Sequence, residues 1–198
     1  MPKVDPDSKI ERRYFQAQGM EVRAEGDDEP AVLMGYAALF DETSEDLGGF
    51  RERIAQGAFA NTIGGDIRAL FNHDTNLILG RTKANTLRLL EDQRGLRCEI
   101  TLPDTNTARD LRESVRLGNV DQMSFGFRTK KDSWDEVDGA IVRTLIEVEL
   151  FDVSPVTFPA YPQTELALRS MGAWDTERKM RNVPNYDDEL RRLDLIGL

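Results

Sequence analysis

The sequence predicts an α+β, β-rich fold: a small, partly closed β-barrel of mostly antiparallel strands with flanking helices. Three observations lead there. Short apolar or alternating runs recur along most of the chain, and short hairpin-type links join them. No regular series of helical crossovers separates them, which argues against a parallel α/β sheet. The clear helical patterns number two, one after the middle and one near the end. The 198 residues, 39% hydrophobic and 31% charged, suffice for one domain of ordinary size with tails.

The elements follow in order. "RYFQAQGMEVRA" is an opening strand, and "AEGDDEP" at 24–30 is a solvated turn or hairpin tip. "AVLMGYAALF" at 31–40 is a buried strand, with Gly35 marking a bulge or close approach. In "DETSEDLGGFRERIAQGAF", Gly48 and Gly49 mark a loop, and Phe50, Ile54 and Phe59 are apolar anchors on a short helix or turn. A strand is expected over 66–73, "DIRALFNH". "LILGRT", "TLRLLED" and "GLRCEITLP" continue as strands, with a hairpin turn at "EDQRG". "PDTNTARDLRESVRLGN" is the best helix. Asp104 or Asn106 can cap it, Ala108, Leu111 and Val115 share a face, and Gly118 suits the C′ position. "DQMSFGFRTKKDSWDEVDGAIVRTLIEVELFDVSPVTFP" gives two or three strands around "DEVDGA", the last broken by Pro155 and Pro159.

From Thr164 the character changes. "TELALRSM" is helical, and the charged remainder spaces Leu190, Leu193 and Ile196 for a short amphipathic helix. The chain thus divides into a folded domain, 1–165, and a charged helical arm, 166–198, which reads as a loose tail or as a docking or processing segment.

Composition narrows the function. No apolar run approaches the length of a membrane span, and "MPKVDPDSKIERRYF" has no apolar core of a secretion signal. One cysteine, Cys98, allows no intramolecular disulfide and fits a reducing cytoplasm. One histidine and one cysteine argue against a zinc site of the usual N/S type, while a carboxylate site for a hard cation stays open. The net charge of −10 disfavours general nucleic-acid binding.

The residues able to carry chemistry are few. Ser124 lies in "DQMSFGF" between large apolar residues, where a serine is more often a core filler. As a nucleophile it needs a base, and His73 is the only imidazole in the chain. Asp74 cannot orient His73 if both lie in a strand, because neighbours point to opposite faces. The acid must come from elsewhere, and "IEVELFD" offers Glu147, Glu149 and Asp152. Strand alternation puts Glu147 and Glu149 on one face and Asp152 on the other.

Five stretches then combine: "GYAALFDETSEDLGGFRERIAQGAF", "LFNHDTNLILGRT", "TLRLLEDQRGLRCEITLPDT", "GNVDQMSFGF" and "EVELFDVSPVTFPAYP". In that order, over roughly residues 10 to 165, they make the chain resemble the prohead, or capsid-maturation, serine proteases of tailed bacteriophages, related to the herpesvirus assembly proteases. The resemblance implies a partly closed barrel surrounded by helices, with residues 1–165 as the protease domain. The herpesvirus enzymes have a similar "NHD" segment, a strand serine and, as third member, a second histidine in a segment shaped like "HVALCSV". Matched to "EVELFDV", that position is Glu147 here. The resemblance therefore implies His73, Ser124 and Glu147, with Glu149 and Asp152 as alternatives because a short gap would move the match. It also shows a departure. The herpesvirus enzymes hold the oxyanion with an arginine pair just after that strand, and "SPVTFP" has none.

The resemblance further implies a serine endopeptidase without metal or organic cofactor. It would act in the host cytoplasm inside the procapsid, on scaffold protein or the scaffolding segment of the major capsid protein, and on itself. A homo-oligomer is compatible with this; direct nucleic-acid or membrane binding is not expected. Two rivals remain: a non-catalytic capsid-assembly or scaffold-interaction protein of the same fold, and a metal-dependent hydrolase using the acids around 147–152.

Overall fold

Two long strands organise the molecule. In the computed structural model, which describes residues 10–16, 20–23, 30–158 and 165–181, β9 (Gln122–Val137) and β10 (Ala140–Val156) pair antiparallel along almost their whole length. Their link is tight because Asp138 and Gly139 both take left-handed conformations, φ 51° and 77°, as a two-residue hairpin turn requires.

Before them come β1 (Glu11–Gln16), β2 (Glu21–Arg23), β3 (Val32–Leu39), β4 (Arg51–Ile54), β5 (Arg68–Phe71), β6 (Asp74–Arg81), β7 (Leu87–Glu91), β8 (Gly95–Thr101) and helix α1 (Asn106–Arg116). One sheet runs β1-β9-β10-β5-β6, with β4 also on β10; the other runs β2-β3-β8-β7. The fold is β-rich, as expected, but among the described residues neither sheet closes into a barrel. The pairing is mostly antiparallel, as expected, with parallel pairs only along β10 among the described residues. One edge of β10 takes β9, and the other edge is shared by two short parallel strands, β4 at Val142–Leu145 and β5 at Asp152–Val153. The turns between β4 and β5 fill the gap: Ala55 N–H donates to the Leu145 carbonyl at 2.9 Å, and Val148 N–H to that of Ala58 at 3.0 Å.

Several elements depart from the sequence reading. The opening stretch forms two strands in different sheets, because Glu21 to Arg23 join β3 while Glu11 to Gln16 join β9. Residues 51–54 form strand β4 where a helix or turn was expected, although Phe50, Ile54 and Phe59 are the buried anchors. The bulge in β3 falls between Tyr36 and Ala38, two residues beyond Gly35. Thr105 caps α1 in place of Asp104 or Asn106, its Oγ1 accepting from Ala108 N–H at 3.3 Å. Pro155 lies within β10, one residue from its end, opposite Met123. Pro159, the helix around Leu190 to Ile196 and all but the last residue of the expected turn at 24–30 lie outside the described residues.

The chain divides into two compact units, Met1–Pro162 and Gln163–Leu198. The second contains α2 (Glu165–Arg181), where Lys179 pairs with Asp175 one turn away at 2.7 Å and the Arg178 guanidinium lies over the Trp174 ring. No helix among the described residues is long and apolar enough to cross a membrane.

The core of the first unit lies between the sheets. Phe125 packs edge-on against Phe59 and stacks on Phe127, with Leu33, Leu96, Ile100 and Leu111 fully buried around them. Cys98 sits in this core, its Sγ against the Gly35 carbonyl, and burial pushes its thiol up to about 12. The native protein is therefore expected to leave a disulfide reagent such as Ellman's unreacted at pH 8, and to react with one equivalent once denatured. Fast reaction of the folded chain would contradict the burial.

Candidate active site

Period two explains why a serine is available on β9. Met123, Phe125 and Phe127 turn into the core, so Ser124 and Gly126 face the other way. On β10 the spacing is broken. Leu145, Val148, Leu150 and Val153 all join the core, although 145 to 148 and 150 to 153 are three apart. The register breaks beside Glu147 and between Leu150 and Asp152 absorb the extra residues. Glu147, Glu149 and Asp152 are consequently all left off the core, contrary to the alternation reading. What separates them is distance along the strand, roughly 3.3 Å per residue.

His73 is not in a strand. β5 ends at Phe71 and β6 starts at Asp74, leaving Asn72 and His73 as the two residues of a hairpin turn, φ 54° and 57°. Asn and His tolerate that region better than most residues, but it still costs of order 1–2 kcal/mol for a side chain with a Cβ. Contacts with the end of β10 hold the turn there. Asn72 N–H donates to the Pro155 carbonyl at 3.0 Å, and its Oδ1 accepts from Thr157 N–H at 2.9 Å and from the Thr157 hydroxyl at 3.2 Å.

The turn delivers the imidazole between two strands. Nε2 of His73 is 2.6 Å from Ser124 Oγ, and Nδ1 is 2.5 Å from Asp152 Oδ1. Oδ1 also accepts from the Ser154 hydroxyl at 2.7 Å. All three groups are sheltered: the side chains of His73 and Asp152 are 6% and 11% exposed, and Ser124 is 3% exposed. The Ser124 hydroxyl has a second neighbour, donating to the Arg13 carbonyl of β1 at 2.8 Å. It carries one hydrogen, so it serves the imidazole or the carbonyl at any moment, not both.

The other two acids are elsewhere. Glu147 accepts from Asn61 Nδ2 at 3.2 Å. Glu149 pairs with Lys130 at 2.8 Å and Arg128 at 3.2 Å; the Lys130 ammonium, aided by Arg128 and against partial burial, holds its carboxyl below the usual range. Among these three acids, Asp152 is the one against His73. Among the described residues no group of three or more His, Cys, Asp or Glu side chains converges as metal ligands would. A groove of about 800 Å³ lined by Ile78, Arg81, Leu102, Arg109 and Arg112 contains none of these residues.

A family model described as caudovirus prohead serine protease matches residues 18–178. The chain belongs to this family. The prohead protease of Enterobacteria phage HK97 is 30% identical over 185 residues, spanning 90% of this chain and 78% of that one. Among solved structures, the capsid assembly protease of bacteriophage T4 aligns with 75% of this chain and 97% of its own, at 9% identity and a TM-score of 0.47. Membership makes this a protease of phage capsid maturation. The matched span takes in His73, Ser124 and Asp152 as well as Ser154 and Gly126.

The sequence reading named neither Ser154 nor Asn72. Ser154 had a visible signal, standing two residues from Asp152 and hence on the same face of an extended strand. Asn72 had a weaker one, since two turn-tolerant residues between apolar runs mark a hairpin.

Proposed function

We propose that this chain is a serine endopeptidase that cleaves scaffold protein, or the scaffolding segment of the major capsid protein, inside the phage procapsid. The observation that carries this is the His73 imidazole, hydrogen-bonded to a hydroxyl on one side and a carboxylate on the other. In this reading Ser124 Oγ attacks the scissile carbonyl while Nε2 of His73 takes its proton. The hydroxyl hydrogen must first turn from the Arg13 carbonyl to Nε2. Asp152 accepts from Nδ1–H, fixes the tautomer and stabilises the imidazolium. The imidazolium then protonates the leaving amine. Water, deprotonated by the same imidazole, releases the acid and restores Ser124.

Asp152 fills the third position in this proposal, in place of Glu147 or Glu149. The charged arm at 166–198 is the candidate segment for self-cleavage. Scaffold and capsid substrates and the procapsid location rest on the family.

The test is coexpression with the cognate capsid and scaffold proteins, reading every new terminus by mass spectrometry. New termini within scaffolding segments and within residues 166–198 are expected with the wild type and none with Ser124→Ala. The same fragments with Ser124→Ala, lost on adding EDTA, would favour a metal-dependent hydrolase. No fragments with either would favour a non-catalytic assembly protein.

A further inference from the structure

We infer that Gly126 and Ser154 are positioning residues that together seat the Asp152 carboxylate against His73, Gly126 by leaving room and Ser154 by supplying a donor. The inference rests on the reading of Asp152 as the acid that orients His73.

Gly126 lies on β9 directly opposite Asp152 in the β9–β10 register. A Cβ there would stand 2.2 Å from Asp152 Oδ2 and 3.2 Å from its Cγ, with Ile10 Cγ2 next at 3.6 Å. The first distance is far inside contact, and the atom met is the carboxylate oxygen itself. Gly126 is not among the residues with positive φ, so an L side chain meets no backbone objection. The glycine is needed for space, and the space is filled by one carboxylate oxygen.

Ser154 completes the seat from β10. It is fully buried, and its hydroxyl donates to Oδ1, the oxygen that also faces Nδ1 of His73. Oδ2 is thus held in the notch over Gly126 while Oδ1 is shared by a hydroxyl and the imidazole. A carboxylate held by packing on one oxygen and a hydrogen bond on the other has little freedom to turn away. Orientation of a base by a partner so fixed is what keeps an imidazole in one tautomer.

Removing the Ser154 donor leaves more negative charge on Oδ1, the oxygen that faces the imidazolium formed during the reaction. For Ser154→Ala, kcat on a peptide substrate is expected to fall about 10–100-fold at nearly unchanged KM, a range seen for outer-shell partners. The acidic limb of the kcat/KM profile should move to higher pH. Ser154→Thr keeps the hydroxyl and should keep the wild-type limb. Wild-type kcat and an unmoved limb in Ser154→Ala would overturn the role of Ser154.

Gly126 is tested by a double-mutant cycle. Gly126→Ala alone should lower both kcat and the melting temperature. Placed on Asp152→Ala, where the clashing carboxylate is gone, it should cost nothing further in either. A melting penalty of the same size in both backgrounds would overturn the role of Gly126, since the glycine would then serve strand packing alone. Silent Ser154 and Gly126 variants beside a crippled Asp152→Asn would sink this inference only. An active Ser124→Ala would sink the reading beneath it.

Discussion

Ser124→Ala and His73→Ala are each expected to lower the rate of substrate cleavage by about 10⁶-fold, because nucleophile and base act as one unit. Asp152→Asn should cost about 10⁴-fold: an amide can present its NH₂ to Nδ1 and favour the wrong tautomer. Glu147→Gln should change cleavage little and stability by no more than about 0.5 kcal/mol, since its hydrogen bond to Asn61 lies at the surface. Glu149→Gln should also spare catalysis, loosening only a partly exposed pair with Lys130 and Arg128. Single-turnover rates on a peptide carrying a mapped cleavage site would rank the five variants. Circular dichroism would show whether each retains its fold. A crippled Glu147→Gln beside an active Asp152→Asn would reverse the assignment of the third position.

The contrast among those acids shows what the sequence could disclose. Ser124 and His73 stood out because a hydroxyl nucleophile needs a base and the chain has one imidazole. The flanking Met123, Phe125 and Phe127 made β9 legible, since period-two burial is a local property. The acid was not local. Counting alternate residues fails on β10 because its register breaks beside Glu147 and before Asp152. Whether an extra residue bulges depends on the partner strand, which sequence alone does not supply. The same holds for His73, read as the end of a strand and found in a left-handed turn. That turn depends on Pro155 and Thr157, more than 80 residues away. The arrangement of the strands was out of reach for a related reason. Strand propensity says where β4 and β5 are, but not that both lie parallel along one edge of β10. Thr105 caps α1 in place of its neighbours: the helix begins at Asn106, and Thr105, in extended geometry just before it, accepts from Ala108 N–H.

The largest loss of stability is expected from Arg143→Met. Arg143 is 1% exposed and makes five hydrogen bonds to four residues: Nε donates to Asp132 at 2.7 Å, Nη1 to Glu11 at 2.9 Å and Glu52 at 3.0 Å, and Nη2 to Thr129 at 2.9 Å and Glu11 at 3.4 Å. Arg13 closes the cluster, with Nε on Glu52 at 2.6 Å and Nη2 on both Glu11 and Glu52 at 3.0 Å. Burial pushes the Glu11 carboxyl up, but Arg143 and then Arg13 outweigh it, and the net direction is down. Without Arg143, two buried carboxylates share one guanidinium, at a cost of about 3–5 kcal/mol. Urea unfolding at pH 7 would measure it. A depressed carboxyl contributes stability above its unfolded value, near 4.3 for Glu, and loses it as pH falls through the folded one. The wild type should therefore weaken on acidification. The deficit of Arg143→Met should shrink at the same time, because protonated Glu11 no longer needs the missing cation. A deficit that stays constant from pH 7 to pH 3 would mean that lost packing, not charge, sets the cost. The cluster also bears on catalysis. Glu11 and Arg13 belong to β1, so the ion pairs that weld β1 to β4 and β10 fix the Arg13 carbonyl beside Ser124. Conditions that loosen the cluster without unfolding the chain should free the hydroxyl from that carbonyl and leave it to His73 alone.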